Sequence, residues 1–308
     1  KFSGEAKVPN LLHGGGAFNT CVEGTVYMDF QNATAMNDYD GGVWPYVNGG
    51  VYGNGSEGTR NIEEGTMKTF AVVNRVEITA KNSNLYLVGA GGSGSTKVIS
   101  GSVTLNNCDL TSLYLSGING EVEDSSIVAT GCTIGSFSAT NRGFVGTGNV
   151  ELNDCIVTKL NTGAAEGCFS SDSGGTDGSG VTGSCVWDLD ESTKVETAQL
   201  TPLVIKDNGS WQNTYENLTV KKAGEPLNLK VTSFAANASD GNAIQKAFVV
   251  PEGSTLTLNN VKTTIDDGNT LTNAGTINMD DASSLTVASG ATLEQAGTVN
   301  GGTVEGTV

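Results

Sequence analysis

Val103-Thr104-Leu105-Asn106-Asn107-Cys108-Asp109-Leu110 can be laid on Ile127-Val128-Ala129-Thr130-Gly131-Cys132-Thr133-Ile134, 24 residues on. Val150-Glu151-Leu152-Asn153-Asp154-Cys155-Ile156-Val157 follows 23 residues later. Each copy has apolar residues at its first and third positions, turn-formers at the fourth and fifth, then Cys. Leu113, Phe137 and Leu160 follow at matching offsets. Alternation of apolar and polar residues has a period of two, which means strands. Asn-Asn, Thr-Gly and Asn-Asp between them tolerate tight or left-handed backbone. Asn stacked on Asn can also form a ladder of side-chain amides.

A repeat of this length, always in the same direction, is one rung of a solenoid. Rungs stack at about 4.8 Å, the spacing of neighbouring strands, so the chain would supply about a dozen rungs and a rod of roughly 60 Å. Upstream, Val76-Glu77-Ile78-Thr79 leads to Leu85-Tyr86-Leu87 much as Val103 leads to Leu113-Tyr114-Leu115. Downstream, Leu256-Thr257-Leu258-Asn259-Asn260-Val261 and Ile277-Asn278-Met279-Asp280-Asp281-Ala282 continue the pattern. Leu285-Thr286-Val287, Thr292-Leu293 and Thr298-Val299 extend it. With Val261 and Ala282 in the place of Cys, the position asks for a small apolar group. Cys108, Cys132 and Cys155 are therefore a core column, thiols serving as small hydrophobes.

The 308 residues form one solenoid domain. Residues 1–70, rich in Gly and aromatics, read as N-terminal rungs or a cap, and 71–308 as the main coil. Irregular insertions fall near 168–185 and 188–245, and Ala243–Phe248 reads as strand. Only 37% of residues are hydrophobic, which suits a narrow coil with few interior positions per rung. The 33 acidic residues outnumber 16 basic ones, for a net charge of −17. That surface repels nucleic acid and anionic lipid and favours solubility. No apolar run is long enough to span a membrane. The chain opens at Lys1 with no hydrophobic signal region, and reads as a mature or trimmed segment.

Chemistry-bearing residues are few. His13 is the one histidine, which removes most Ser-His-Asp and Cys-His schemes and any His cluster for a transition metal. No C-x-x-C spacing exists, so a zinc site is not expected. Acidic pairs recur at Glu63-Glu64, Glu121-Glu123-Asp124, Asp188-Asp190-Glu191, Asp266-Asp267 and Asp280-Asp281, and read first as solvated turn residues. Glycoside hydrolysis needs two carboxylates at a defined separation, which adjacent rungs can supply. Arg142 and Lys159 are the bases that would join such a groove. Cys168 and Cys185 bracket a Gly/Ser loop. A disulfide between them would close it and imply an oxidising compartment. Asp172 and Asp177 in that loop make calcium the only cofactor to consider, though a flexible loop is the better reading. Tyr39, Trp44, Tyr46 and Tyr52 are the candidate ligand-binding residues, an aromatic platform for the apolar faces of sugar rings. Their rival role is to cover the open end of the coil.

The Val-x-Leu-Asn-Asn-Cys and Thr-Leu-Asn-Asn-Val segments, with their Gly-rich connections, resemble right-handed parallel β-helix proteins of bacterial surfaces, including adhesin-like proteins of gut bacteria. The resemblance covers about residues 70–308. It implies an all-β, right-handed, single-stranded parallel β-helix, a hand that parallel crossovers also favour. It further implies an extracellular or cell-surface protein of non-catalytic role, an adhesin-like binding or stalk module contacting carbohydrate or host protein. β-Helix enzymes supply the alternative, a polysaccharide lyase or glycoside hydrolase. The Asn-Thr-Asp, Gly-His-Gly and Arg-Ile-Lys segments of polygalacturonase-like hydrolases do not occur here. No lyase motif surrounds Arg60, Arg75 or Arg142. A phage-type fibre or spike is the third reading.

Overall fold

The computed structural model describes residues 2–3, 7–8, 11–15, 22–35, 46–50, 60–61, 66–67, 71–92, 96–117, 120–140, 143–164, 180–201, 205–207, 210–212, 215–232, 234–237, 243–246 and 248–306. Among these there are strands, turns and bends but no helix. The chain is an all-β parallel β-helix. One sheet runs unbroken through Phe2–Ser3, Val22–Gln31, Ala71–Lys81, Thr96–Asn106, Glu121–Thr130, Phe144–Asn153, Ser184–Leu189, Asn217–Lys222, Thr255–Asn259, Thr276–Met279 and Thr298–Asn300. A second sheet stacks the strand that follows each of these, from Lys7–Val8 to Thr303–Gly306. A third, confined to the C-terminal part, holds Phe248–Val250, Thr270–Asn273 and Thr292–Gln295. Eleven rungs at about 4.8 Å make a stack of roughly 50 Å among the described residues.

The register explains the repeat. Val103 pairs with Ile127 and Ile127 with Val150; Leu105 pairs with Ala129 and Ala129 with Leu152. Leu113, Phe137 and Leu160 align in the second sheet. All nine are buried, so each rung sends two residues from one sheet and one from the other into a common core. Trp187, fully buried, meets Phe137 edge to face across that core at 4.9 Å between centroids.

A sharp corner joins the first sheet to the second. One residue there has positive φ: Asn32, Asn82, Asn107, Gly131, Asp154 or Asn260. Asn, Asp and Gly are the residues that enter this region at least cost. The expected amide ladder is present, Asn82 Nδ2 donating to Asn32 Oδ1 at 3.4 Å and Asn107 Nδ2 to Asn82 Oδ1 at 3.5 Å. It stops at Gly131, which has no amide.

Two details of the register differ from the sequence reading. Ile78, not Val76, pairs with Val103, and Val88, not Leu85, pairs with Leu113, so the upstream rung is offset by two residues in the first sheet and three in the second. Period-two alternation looks the same after a shift of two, which accounts for the first-sheet offset. Ala282 is exposed on a longer turn, and Ser283 takes the inward corner position beside Val261.

The coil also changes cross-section. Leu152, Leu189 and Lys222 are in register, but the next strand ends at Asn259, opposite Lys221. Lys222 thus occupies the last place of an interior column that has no successor. Its side chain is buried, and its ammonium donates to the carbonyls of Asp190 at 2.7 Å, Glu191 at 3.4 Å and Ala223. Asn260 Nδ2 donates to the carbonyls of Lys222 and Gly224, both at 2.8 Å.

Candidate binding edge

Each turn of the coil has two kinds of connection. The corner from first to second sheet is tight throughout. The return leg, from a second-sheet strand back to the next first-sheet strand, carries most of the long connections among the described rungs; the connection from Thr34–Ala35 to Tyr46–Asn48 instead joins two strands of the second sheet, both paired with Asn84–Gly89. From Tyr46–Asn48 the chain returns to Ala71–Lys81 through the antiparallel pair Arg60–Asn61 and Thr66–Met67. From Ile156–Ala164 it returns to Ser184–Leu189. From Lys194–Leu200 it returns through the hairpin Ile205–Asp207 and Ser210–Gln212, and from Leu227–Val231 through Phe234–Asn237 and Ala243–Lys246. The insertions read separately from the sequence therefore leave the rod along one edge.

Backbone packing on that leg favours glycine. A Cβ at Gly117 would stand 2.0 Å from the Gly92 carbonyl oxygen, and one at Gly91 would stand 2.3 Å from the Gly117 nitrogen. Successive return legs lie against each other too closely for side chains, which leaves the leg free to open outward elsewhere.

Of the predicted platform residues only Tyr46 is described, and it lies in the second sheet, not on the return leg. Tyr46 lies in a strand whose backbone pairs with Leu87 on one side and Leu11 on the other, and Asn48 of that strand pairs with His13. Tyr39, Trp44 and Tyr52 lie outside the described residues, as do Arg142, Asp172, Asp177 and Cys168. Cys185 is a free thiol, fully buried, and burial pushes its pKa up to about 12. Sequence reasoning missed the shared edge. The signal was present: the gap between first- and second-sheet strands stays within one to four residues, and the spacing back to the next apolar pair varies far more.

The corner column holds Cys108, Cys132 and Cys155, all buried, as expected. Hydrogen bonds accompany the packing. The Cys108 N–H donates to Cys132 Sγ at 3.4 Å, and Cys132 Sγ donates to the Thr130 carbonyl at 3.4 Å. Cys155 N–H donates to Thr193 Oγ1 at 3.2 Å, and Thr193 Oγ1 donates to the Leu152 carbonyl at 3.1 Å. Ser83 takes the Ala33 N–H at 3.1 Å, and Ser283 takes that of Val261 at 3.0 Å. Where the position holds a thiol or hydroxyl, that group accepts an N–H from the rung before and donates to a carbonyl; Ala33 and Val261 fill the same buried position by packing alone. A hydrogen bond from the Cys132 thiol draws the Cys108 pKa down to about 7, against burial. Cys132 itself, held by Cys108 and Cys155 and buried, is raised.

Charged groups on the outer faces pair locally. Lys97 bridges Glu121, at 3.5 Å, and Glu123 on the next rung; burial disfavours its charge, but the two glutamates hold its pKa above the ordinary value. Arg75 pairs with Glu77 at 2.8 Å, Lys230 with Asp266 at 3.2 Å and Lys221 with Asp188 at 3.9 Å. Lys159 is exposed, and its partners on the adjacent rungs are the neutral Ser136 and Thr197. Asp190 and Asp280 are turn residues. Desolvation works to raise both, and hydrogen bonds outweigh it, from Thr193 and the Asp154 N–H in one case and from the Asn260 N–H and Ser283 in the other. Both carboxyls lie below the usual carboxylate range. Among the described residues no three His, Cys, Asp or Glu side chains converge on one metal position, and no helix is long and apolar enough to cross a membrane.

The structure defines a parallel β-helix whose long connections fall mostly on the return leg. No family model, curated protein or solved structure matches the chain.

Proposed function

We propose that this is an exported, surface-displayed bacterial protein of adhesin-like type, a non-catalytic binding or stalk module whose excursions contact carbohydrate or a host-surface protein. One observation carries the reading: most of the long connections of a rigid stack fall on the return leg. A ladder of parallel strands fixes the spacing of its rungs, so groups displayed along that edge meet a repeating ligand at several points together. Weak contacts linked in this way gain avidity through effective concentration. Aromatic side chains, with Tyr39, Trp44, Tyr46 and Tyr52 as candidates, would stack on sugar rings. The acidic surface favours neutral over anionic glycans. The local pairing of Lys97, Arg75, Lys221 and Lys230 leaves a face suited to recognition more than to acid–base chemistry.

A glycan array run beside an assay for released reducing or unsaturated sugar ends tests the proposal. Binding without turnover supports it. Turnover of any bound polysaccharide overturns it in favour of a lyase or hydrolase, and absence of binding to glycans and host-surface proteins removes the adhesin reading.

A further inference from the structure

We propose that adjacent thiols of the Cys108–Cys132–Cys155 column form a site for a two-coordinate, thiophilic cation, Cu(I) by chemical class, lying between neighbouring rungs.

The geometry is set by the ladder. Asn106, Thr130 and Asn153 are in register just before the corner, and Asp109, Thr133 and Ile156 just after it. The cysteines between them are therefore one strand spacing apart, about 4.8 Å. Two metal–thiolate bonds of about 2.3 Å placed end to end span about 4.6 Å, so a linear S–M–S unit fits between rungs with little movement. The sulfurs lean the same way. Cys132 Sγ takes the Cys108 N–H, and Cys155 Sγ reaches the Ala129 carbonyl, also on the preceding rung, at 3.4 Å. A common lean preserves the strand spacing between sulfurs. It also explains why no three ligands meet at a point: a stacked column offers pairs, not a tetrahedron.

The ligand chemistry selects the ion. Thiolates without imidazole or carboxylate prefer soft cations, and Cu(I) is the soft ion among common biological metals. Binding is written Cu⁺ + 2 R–SH → [RS–Cu–SR]⁻ + 2 H⁺, with no change of oxidation state. The single negative charge is met by backbone N–H donors already aimed at sulfur, from Ser83 to Cys108, from Cys108 to Cys132 and from Cys132 to Cys155. All three thiols are free, and Ser83 and Thr193 bound the column with hydroxyls. A single corner residue, Asn107, Gly131 or Asp154, separates each thiol from its first-sheet strand, so local opening of the corner admits an ion.

The test uses the full chain carrying Cys21→Ser, Cys168→Ser and Cys185→Ser, which leaves only the column. It is titrated anaerobically with Cu(I) against bicinchoninate. The expected result is one tightly held Cu(I), two protons released per ion, and a near-ultraviolet sulfur-to-copper charge-transfer band. Cys132→Ser abolishes all three, because each adjacent pair includes Cys132, whereas Cys155→Ser retains them through Cys108 and Cys132. If Cys132→Ser does not fold, the Cys108→Ser/Cys155→Ser double variant must lose copper instead. The proposal is overturned if copper passes to the chelator while the folded protein's three thiols titrate as reduced. Retention of copper with a single column thiol overturns it as well.

Discussion

At Thr193 one hydroxyl ties its own rung to two backbone groups of the rung before. It accepts the N–H of Cys155 and donates to the carbonyl of Leu152, and it is fully enclosed. A buried donor or acceptor left without a partner costs about 1–3 kcal/mol. Thr193→Val keeps the shape and removes the hydroxyl. It should lower unfolding stability by about 1–3 kcal/mol, while Thr193→Ser stays near wild type; a urea titration of both variants checks this, and equal stability of Val and Ser would refute it. The neighbouring turn carboxyls set a pH dependence. Asp190 and Asp280 have folded-state pKa values below the ordinary one. Their contribution is therefore complete above the unfolded value, about 3.9, and is lost as pH falls through the folded values beneath it. Unfolding midpoints should fall steeply only below about pH 4. Asp280→Asn should flatten part of that fall, and a midpoint that drops as steeply in Asp280→Asn as in wild type would remove Asp280 from the account.

At the scale of the strand, Lys222 marks where one interior column ends and a narrower coil begins. Its ammonium supplies donors to three carbonyls beside a corner that is four residues shorter in the next rung. Hydrogen bonds from a charged group are worth about 1.5–3 kcal/mol each before desolvation is counted. Lys222→Met fills the space and removes the donors. It is expected to destabilise by about 2–3 kcal/mol, and hydrogen exchange should locate the loss at residues 189–194 and 222–227. Exchange raised evenly along the rod would contradict a local step. Lys222 also shows where sequence reading stops. The alternation around Val103, Ile127 and Val150 exposed strand, rung and inward face, because burial on one face of a strand imposes a period of two. Positive φ at Asn107 and Gly131 was foreshadowed by residue type. A lysine at an inward place reads from sequence as a break in the pattern, since its justification lies in carbonyls of another rung. Ser83, Thr193 and Ser283 were equally opaque: they share a column with Cys, Ala33 and Val261 only once the register is known, and their hydroxyls then prove to bond backbone of the adjacent rung.

At the scale of the whole molecule, the coil separates stability from display. Contacts in a stack are made with the rungs above and below, so stability is close to a sum of rung and interface terms. Excursions on the return leg add little to those terms. The hairpin Ile205–Asp207 and Ser210–Gln212 pairs only with itself, in a two-stranded sheet apart from the main ladders. Around it the first-sheet ladder passes directly from Ser184–Leu189 to Asn217–Lys222. Replacing residues 203–213 by a short Gly/Ser connection should therefore leave the thermal midpoint within a few degrees of wild type, because surface changes away from core and caps seldom exceed about 0.5 kcal/mol. The same argument covers the hairpin of Phe234–Asn237 and Ala243–Lys246. If the edge is the recognition surface, each excision weakens binding to whichever glycan or protein the array identifies, and removing both weakens it by more than either alone, since linked weak contacts multiply. Calorimetry and surface plasmon resonance on the same preparations separate the two quantities. Unchanged binding by the doubly excised, fully folded coil would move recognition from these hairpins to the N-terminal return legs or the strand faces, whereas joint loss of folding and binding would show that the excursions belong to the scaffold.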